Sequence, residues 1–136
     1  MTLKERTEAL SGVPVFAALS RSSLERVARV ATEFEAAAGQ VLIESDAKGS
    51  GMFVLLEGTA TVDTRGQATV ELGEGRCFGE LALLTPAGVR TARVRAKTPV
   101  RCLAIARGDF QKLLTVEPKL SLALLETLAA RLAAQE

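Results

Sequence analysis

Residues 76–96 read RCFGELALLTPAGVRTARVRA, and this stretch decides how the rest of the chain is to be folded. Phe78-Gly79-Glu80 opens a short helix with an acidic tip, Pro86 and Gly88 supply a turn, and the residues after it alternate as a strand does. Strand side chains point to opposite faces in turn, so Arg90, Ala92, Val94 and Ala96 share one face and Thr91, Arg93, Arg95 and Lys97 the other. Arg90 is therefore the odd cation on an apolar face. A guanidinium held against apolar surface is costly unless an anion meets it, and its planar fork suits phosphate or carboxylate. Two anions could answer. Glu80 could bridge Arg90 internally. Alternatively, the free N–H groups of the helix N-terminus and Arg90 could hold one anionic ligand together, with Gly79 letting it come close and Glu80 left to accept from hydroxyls.

Outward from this stretch the chain is mostly scaffold. Its 136 residues make one domain by length, 48% of them are apolar, and five phenylalanines are the whole aromatic content, so Val, Leu, Ile and Ala must build the core. Seventeen basic residues against 16 acidic ones leave a formal charge of +1, which gives no electrostatic reason to expect nucleic acid as a partner. Histidine is absent, so serine–histidine catalysis is excluded and the commonest metal ligand is missing. Cys77 and Cys102 have no metal-ligand spacing and read as reduced thiols of a cytoplasmic protein; the charged MTLKERTEAL is no secretion signal, and no membrane insertion is expected.

Taken in order, Thr2 to Leu10 predict a short helix stopped at Ser11-Gly12-Val13-Pro14. Ser20 is the candidate N-cap of a second, with Leu24, Val27 and Ala31 on one face. From Thr32 the period drops to two. FEAA, QVLI, GMFVLLE, TATVDT, ATVEL, RTARVRA and VRCLAI read as short strands, GMFVLLE as a central one, and Thr64-Arg65-Gly66-Gln67 as a hairpin turn. After Ile105 the helical period returns, with Asp109 near a helix start and Pro118 opening a last helix, on which Leu124, Leu125, Leu128 and Leu132 form a continuous apolar stripe. The fold class is thus mainly β with flanking helices: an antiparallel, jelly-roll-like β-roll (a double-stranded β-helix) with N-terminal helices, the short helix of the opening stretch and two C-terminal helices.

FGELALL, followed ten positions after Glu80 by Arg90-Thr91-Ala92 and then Val94, resembles the phosphate-binding cassette of the cyclic nucleotide-binding domain family. SGVPVFAALSRSSLERVA, the start Gly39-Gln40-Val41-Leu42-Ile43, the FVLLEG strand ending in Gly58 and the GDFQKLL helix match that family's order of parts, so the resemblance covers nearly the whole chain. It implies one domain over 1–136: N-terminal helices in 1–31, a β-roll in 32–106 with the cassette at 78–94, and C-terminal helices in 107–136. The implied ligand is cAMP or cGMP, bound by a non-enzymatic sensor with no cofactor. Phe78, Gly79, Glu80, Leu81, Ala82, Arg90, Thr91 and Ala92 form the ligand site. Glu80 would take the ribose 2′-hydroxyl and Arg90 the cyclic phosphate, while backbone groups of Gly79, Leu81 and Ala82 complete the cradle and Thr91 adds a hydroxyl. Leu124, Leu125, Leu128 and Arg131 are candidate lid residues, Arg131 stacking on the base; the alternative is that the leucine stripe is core or a dimer seam. The chain departs from the family pattern in two turns, at Ser45-Asp46 and at Val89, where glycine-aspartate and proline are usual.

Two other classes compete: a ligand-free β-roll acting as an interaction or oligomerisation module with Glu80 and Arg90 bridged, and a small enzyme on a cupin-like roll, which the lack of histidine disfavours. A chain of this length, without an effector domain, must act through association, as a homodimer or on an unidentified protein effector, unless it is a domain of something larger. The exposed Arg93, Arg95 and Lys97, with Arg101 as a candidate addition, are either a docking face or an ordinary solvated strand face.

Overall fold

Thr2 starts the first helix because its side chain accepts from the Glu5 N–H at 3.1 Å while the Glu5 carboxylate accepts from the Thr2 N–H at 3.3 Å, a reciprocal capping box. Hydrogen bonds from Thr2 hold the Glu5 carboxyl below its ordinary range. The computed structural model describes residues 1–43, 51–64, 68–78 and 92–134. Helix α1 spans Leu3–Ser11 and is followed by a single 3-10 turn at Pro14–Phe16. Helix α2 spans Arg21–Val30, with Ser20 accepting from the Ser23 N–H as its cap.

Among the described residues eight strands follow: β1 Ala31–Ala36, β2 Val41–Ile43, β3 Gly51–Glu57, β4 Ala60–Thr64, β5 Val70–Leu72, β6 Cys77–Phe78, β7 Ala92–Ala96 and β8 Val100–Ala106. They form two antiparallel sheets of four, in the orders β1-β8-β3-β6 and β2-β7-β4-β5. Helix α3 (Arg107–Val116) and helix α4 (Pro118–Ala134) close the chain. The fold is the expected antiparallel β-roll with flanking helices.

Two apolar clusters explain this order. One lies between the sheets and draws Ala36, Leu55, Phe78, Val100 and Cys102 from the first and Ile43, Ala60, Val94 and Ala96 from the second. The other lies on the far face of the first sheet, where Met52, Val54, Leu103 and Ile105 meet Leu10, Phe16, Val27, Phe110, Leu120 and Leu124 of the helical segments. Strands β3 and β8 are therefore covered on both faces, which is why GMFVLLE reads as an unbroken apolar run.

Three local expectations are corrected. Ala31 is buried but belongs to β1, where it pairs with Ile105; the buried face of α2 is Leu24, Val27 and Ala28. Strand pairing claims Ala31 because its backbone is already extended (φ −82°, ψ 138°). Thr64 is still in β4, opposite Ala92, and β5 begins only at Val70, which sits exposed on an edge strand; the rest of the expected turn, 65–67, lies outside the described residues. The leucine stripe of α4 is not continuous. Leu120, Leu124 and Leu128 pack inward, whereas Leu122, Leu125 and Leu132 are exposed. Each helical residue turns about 100° from the last, so Leu125 leaves the face that Leu124 and Leu128 share.

Gly58 has a required conformation. Its φ of 93° is left-handed, and a Cβ would run into the Pro99 carbonyl and lie 2.8 Å from the Thr98 hydroxyl oxygen.

Candidate functional site

The described structure fixes the two ends of the cassette segment. At its start, β6 pairs with β3 in the first sheet, Phe53 opposite Phe78, so Phe78 ends a strand and does not open the short helix as expected, because pairing with β3 holds its backbone extended. The Phe78 ring is only 5% exposed and packs against Phe53 at a centroid distance of 5.3 Å, and Phe53 in turn meets Phe34 edge-on at 5.5 Å. Such contacts are worth about 0.5–1.5 kcal/mol beyond the buried area. At its end, β7 lies in the second sheet between β2 and β4, with Ala92 opposite Thr64 and Val94 opposite Val62. The described chain thus leaves off in the first sheet at Phe78 and resumes in the second at Ala92. Of the expected site residues, Gly79, Glu80, Leu81, Ala82, Arg90 and Thr91 lie outside the described residues, as do Ser45-Asp46 and Val89.

Strand β7 shows the expected alternation where it is described. Val94 and Ala96 are buried in the roll, while Arg93, Arg95 and Lys97 are exposed. The outward cations are already matched by acids on neighbouring strands. Arg95 lies 3.5 Å from Asp63, which also accepts from the Thr69 hydroxyl at 2.8 Å, and Lys97 pairs with Glu71. Arg101 contacts Glu57 at 2.6 Å and Glu33 at 3.6 Å. Exposed pairs of this kind contribute about 0–1 kcal/mol each, and they leave Arg95, Lys97 and Arg101 poorly suited as a docking face for an acidic partner.

The described interior of the roll is apolar. The buried polar residues among the described ones, Thr7 and Glu117, are both in helical segments, α1 and the α3–α4 joint. Burial pushes the Cys102 thiol up to about 11, so it stays protonated and unreactive at neutral pH. Among the described residues no group of three or more metal-ligating side chains converges. A groove of about 420 Å³ lies at the turn of the roll formed by Glu35, Gln40, Glu57, Val100 and Arg101 among others; none of the described site candidates borders it, and Arg101 is engaged there by Glu57.

Of the expected lid residues, Leu124 and Leu128 face the helical cluster and Leu125 faces solvent; the Arg131 side chain is outside the described set. Sequence reasoning missed Glu117, which joins α3 to α4 and reaches Ser23 and Arg26 of α2. Only its position before Pro118, a helix boundary, was readable.

The described residues form a two-sheet roll with helices packed on one outer face, and the comparisons name its family. The model of the cyclic nucleotide-binding domain matches residues 33–117, more than half of the chain, and the chain belongs to that family. A cyclic nucleotide-gated potassium channel of Rhizobium etli is 35% identical over 82% of this chain, which corresponds to 31% of the channel. The chain spans about a third or less of the length of the curated relatives it first matches. The N-terminal domain of a transcriptional regulator from Streptomyces coelicolor superimposes with a TM-score of 0.71 at 31% identity, covering 93% of this chain and 92% of that one. The regulatory domain of Toxoplasma gondii PKA, solved with cAMP, shares the fold with a TM-score of 0.80 at 21% identity, over 95% of this chain and 50% of that one. No described helix is long and apolar enough to cross a membrane.

Proposed function

We propose that the chain is a non-enzymatic sensor of cAMP or cGMP that folds as one domain over 1–136 and works in the cytoplasm. The match over residues 33–117 carries this reading, because it spans FGELALL and Arg90-Thr91-Ala92 together. In this reading Arg90 and the N–H groups at Gly79, Leu81 and Ala82 hold the cyclic phosphate, Glu80 accepts from the ribose 2′-hydroxyl, and Thr91 adds a hydroxyl beside the phosphate or the base. Phe78 anchors the start of the cassette to the roll, and Ala92 places its end at β7. Alternation carried back from Val94 assigns Arg90 the inward parity. No described carboxylate lies in the roll interior, so the counter-charge must come from the undescribed segments or from the ligand.

The site needs no cofactor. A second copy of the chain is the partner the surface favours, because Leu122, Leu125, Ala129 and Leu132 are exposed on α4 at spacings of three and four, the pattern of a helix-pairing seam. Calorimetric titration with cAMP, cGMP and linear AMP tests the reading. A cyclic nucleotide at 100 times its Kd should add about 2.7 kcal/mol to stability, while linear AMP adds far less. No heat and no melting shift at millimolar cAMP and cGMP would select the ligand-free module instead.

A further inference from the structure

Glu117 is only 8% exposed, yet it sits at the joint between α3 and α4, where an apolar residue would avoid the cost of burying a carboxylate. Its backbone belongs to both helices. The N–H donates to the Leu113 carbonyl at 2.9 Å, and the carbonyl accepts from the N–H groups of Leu120 at 3.0 Å and Ser121 at 3.3 Å. Its side chain caps neither helix. One carboxylate oxygen accepts from the Ser23 hydroxyl at 2.8 Å and the other lies 3.1 Å from the Arg26 guanidinium, both on α2. The joint is stiffened from a second side, where the Ser121 hydroxyl donates to the Leu114 carbonyl at 2.8 Å.

The placement matters because α2 is tied to the roll by unbroken chain, whereas beyond its joint α4 is held by packing along one side. Helix α2 runs without a break into β1, which pairs along its length with β8, and β8 runs directly into α3. Helix α4 touches the helical cluster through Leu120, Leu124, Ala123 and Leu128, while Leu122, Leu125 and Leu132 face outward. A long helix held along one narrow side can pivot at its first residue. We propose that Ser23, Arg26 and Glu117 form a polar latch that holds the α3–α4 joint against α2 and so sets the direction in which α4 leaves the domain. Ser23 and Arg26 act here as positioning residues. As regulation of the nucleotide site the latch rests on the function proposed above; as a restraint on α4 it does not.

Hydrogen exchange of the full ligand-free chain tests the restraint first. Ser23→Ala removes one hydroxyl, and its N–H keeps the Ser20 cap, so the variant should fold. Glu117→Gln and Arg26→Ala probe the charge. Exchange in peptides covering 118–128 should quicken about 5-fold or more in Ser23→Ala and Glu117→Gln, the factor that losing one such hydrogen bond implies, with β3 and β8 unchanged. Unchanged exchange at 118–128, or an equal rise across all peptides, would overturn the latch. The same variants are then titrated with cAMP. A Kd shifted about 3-fold or more supports coupling to the site. A wild-type Kd in variants with a fast-exchanging α4 removes the coupling, and wild-type protein that binds no cyclic nucleotide removes the proposed function while leaving the exchange result standing.

Discussion

Strand β7 and helix α4 carry the same kind of periodic signal in the sequence, and the fold treats the two differently. In β7 the sequence alternates ARVRA, and the structure buries Val94 and Ala96 and exposes Arg93, Arg95 and Lys97 as expected. In α4 the leucines were read as one stripe, and the structure divides them between the helical core and solvent. A strand has two faces, so parity alone assigns a side. A helix has a continuum of directions, and a leucine-rich helix satisfies more than one of them until its neighbours are placed. Helix α4 is anchored by Glu117 and Leu120, and those contacts reach back to α2 and the 3-10 turn, far away in sequence.

The difference can be broken most directly by truncating paired leucines. Leu124→Ala should cost about 2–4 kcal/mol in denaturant titrations because it opens a cavity in the helical cluster, whereas Leu125→Ala should stay within about 0.5 kcal/mol. Equal losses would mean that α4 is rotated from its described position. A second test concerns the roll. Gly58→Ala should cost about 1–3 kcal/mol in the same titrations, because φ is left-handed and the Pro99 carbonyl occupies the space a Cβ needs.

The roll core also makes a pH prediction. Cys102 ionises near 9.0 when exposed and only at about 11 when buried, so the unfolded chain gives up its proton first as pH rises. Its contribution to stability is fully present below pH 9 and is lost as pH climbs toward 11, by up to about 3 kcal/mol. Cys102→Ala should flatten that part of the stability profile, and an unchanged slope would place the titration elsewhere. The smallest expected effect is at the N-terminus. Thr2→Ala should cost about 1 kcal/mol through the lost capping box, seen as a lower melting temperature.

Much of the fold was legible because its signals are local. Ser20 and Pro118 marked helix starts, GMFVLLE marked a strand covered on both faces, and the β4–β5 pairing followed from alternation. What was not legible depended on distance. The Phe34, Phe53 and Phe78 contacts bring three strands together, and nothing in the spacing of those residues announces them. Ala31, which spacing puts on the face of the second helix, belongs to β1 because of its distant partner Ile105. The chemistry of the proposed site rests on Glu80 and Arg90, which lie outside the described residues; the structure describes the flanking strands at Phe78 and Ala92, and the family match spans the whole stretch. The Ser23–Glu117 contact links residues 94 positions apart, and no periodicity could have found it.

The alternation of β7 also frames the central claim, because it separates Arg90 from Arg93 by parity alone. The deciding measurement is calorimetric titration of cAMP and cGMP into wild type, Arg90→Ala and Arg93→Ala. Arg90→Ala should weaken binding about 30-fold or more, as expected for losing charge-assisted hydrogen bonds to a phosphate, and Arg93→Ala less than about 3-fold. Equal weakening by both variants, or tight binding that survives the loss of Arg90, would contradict the site.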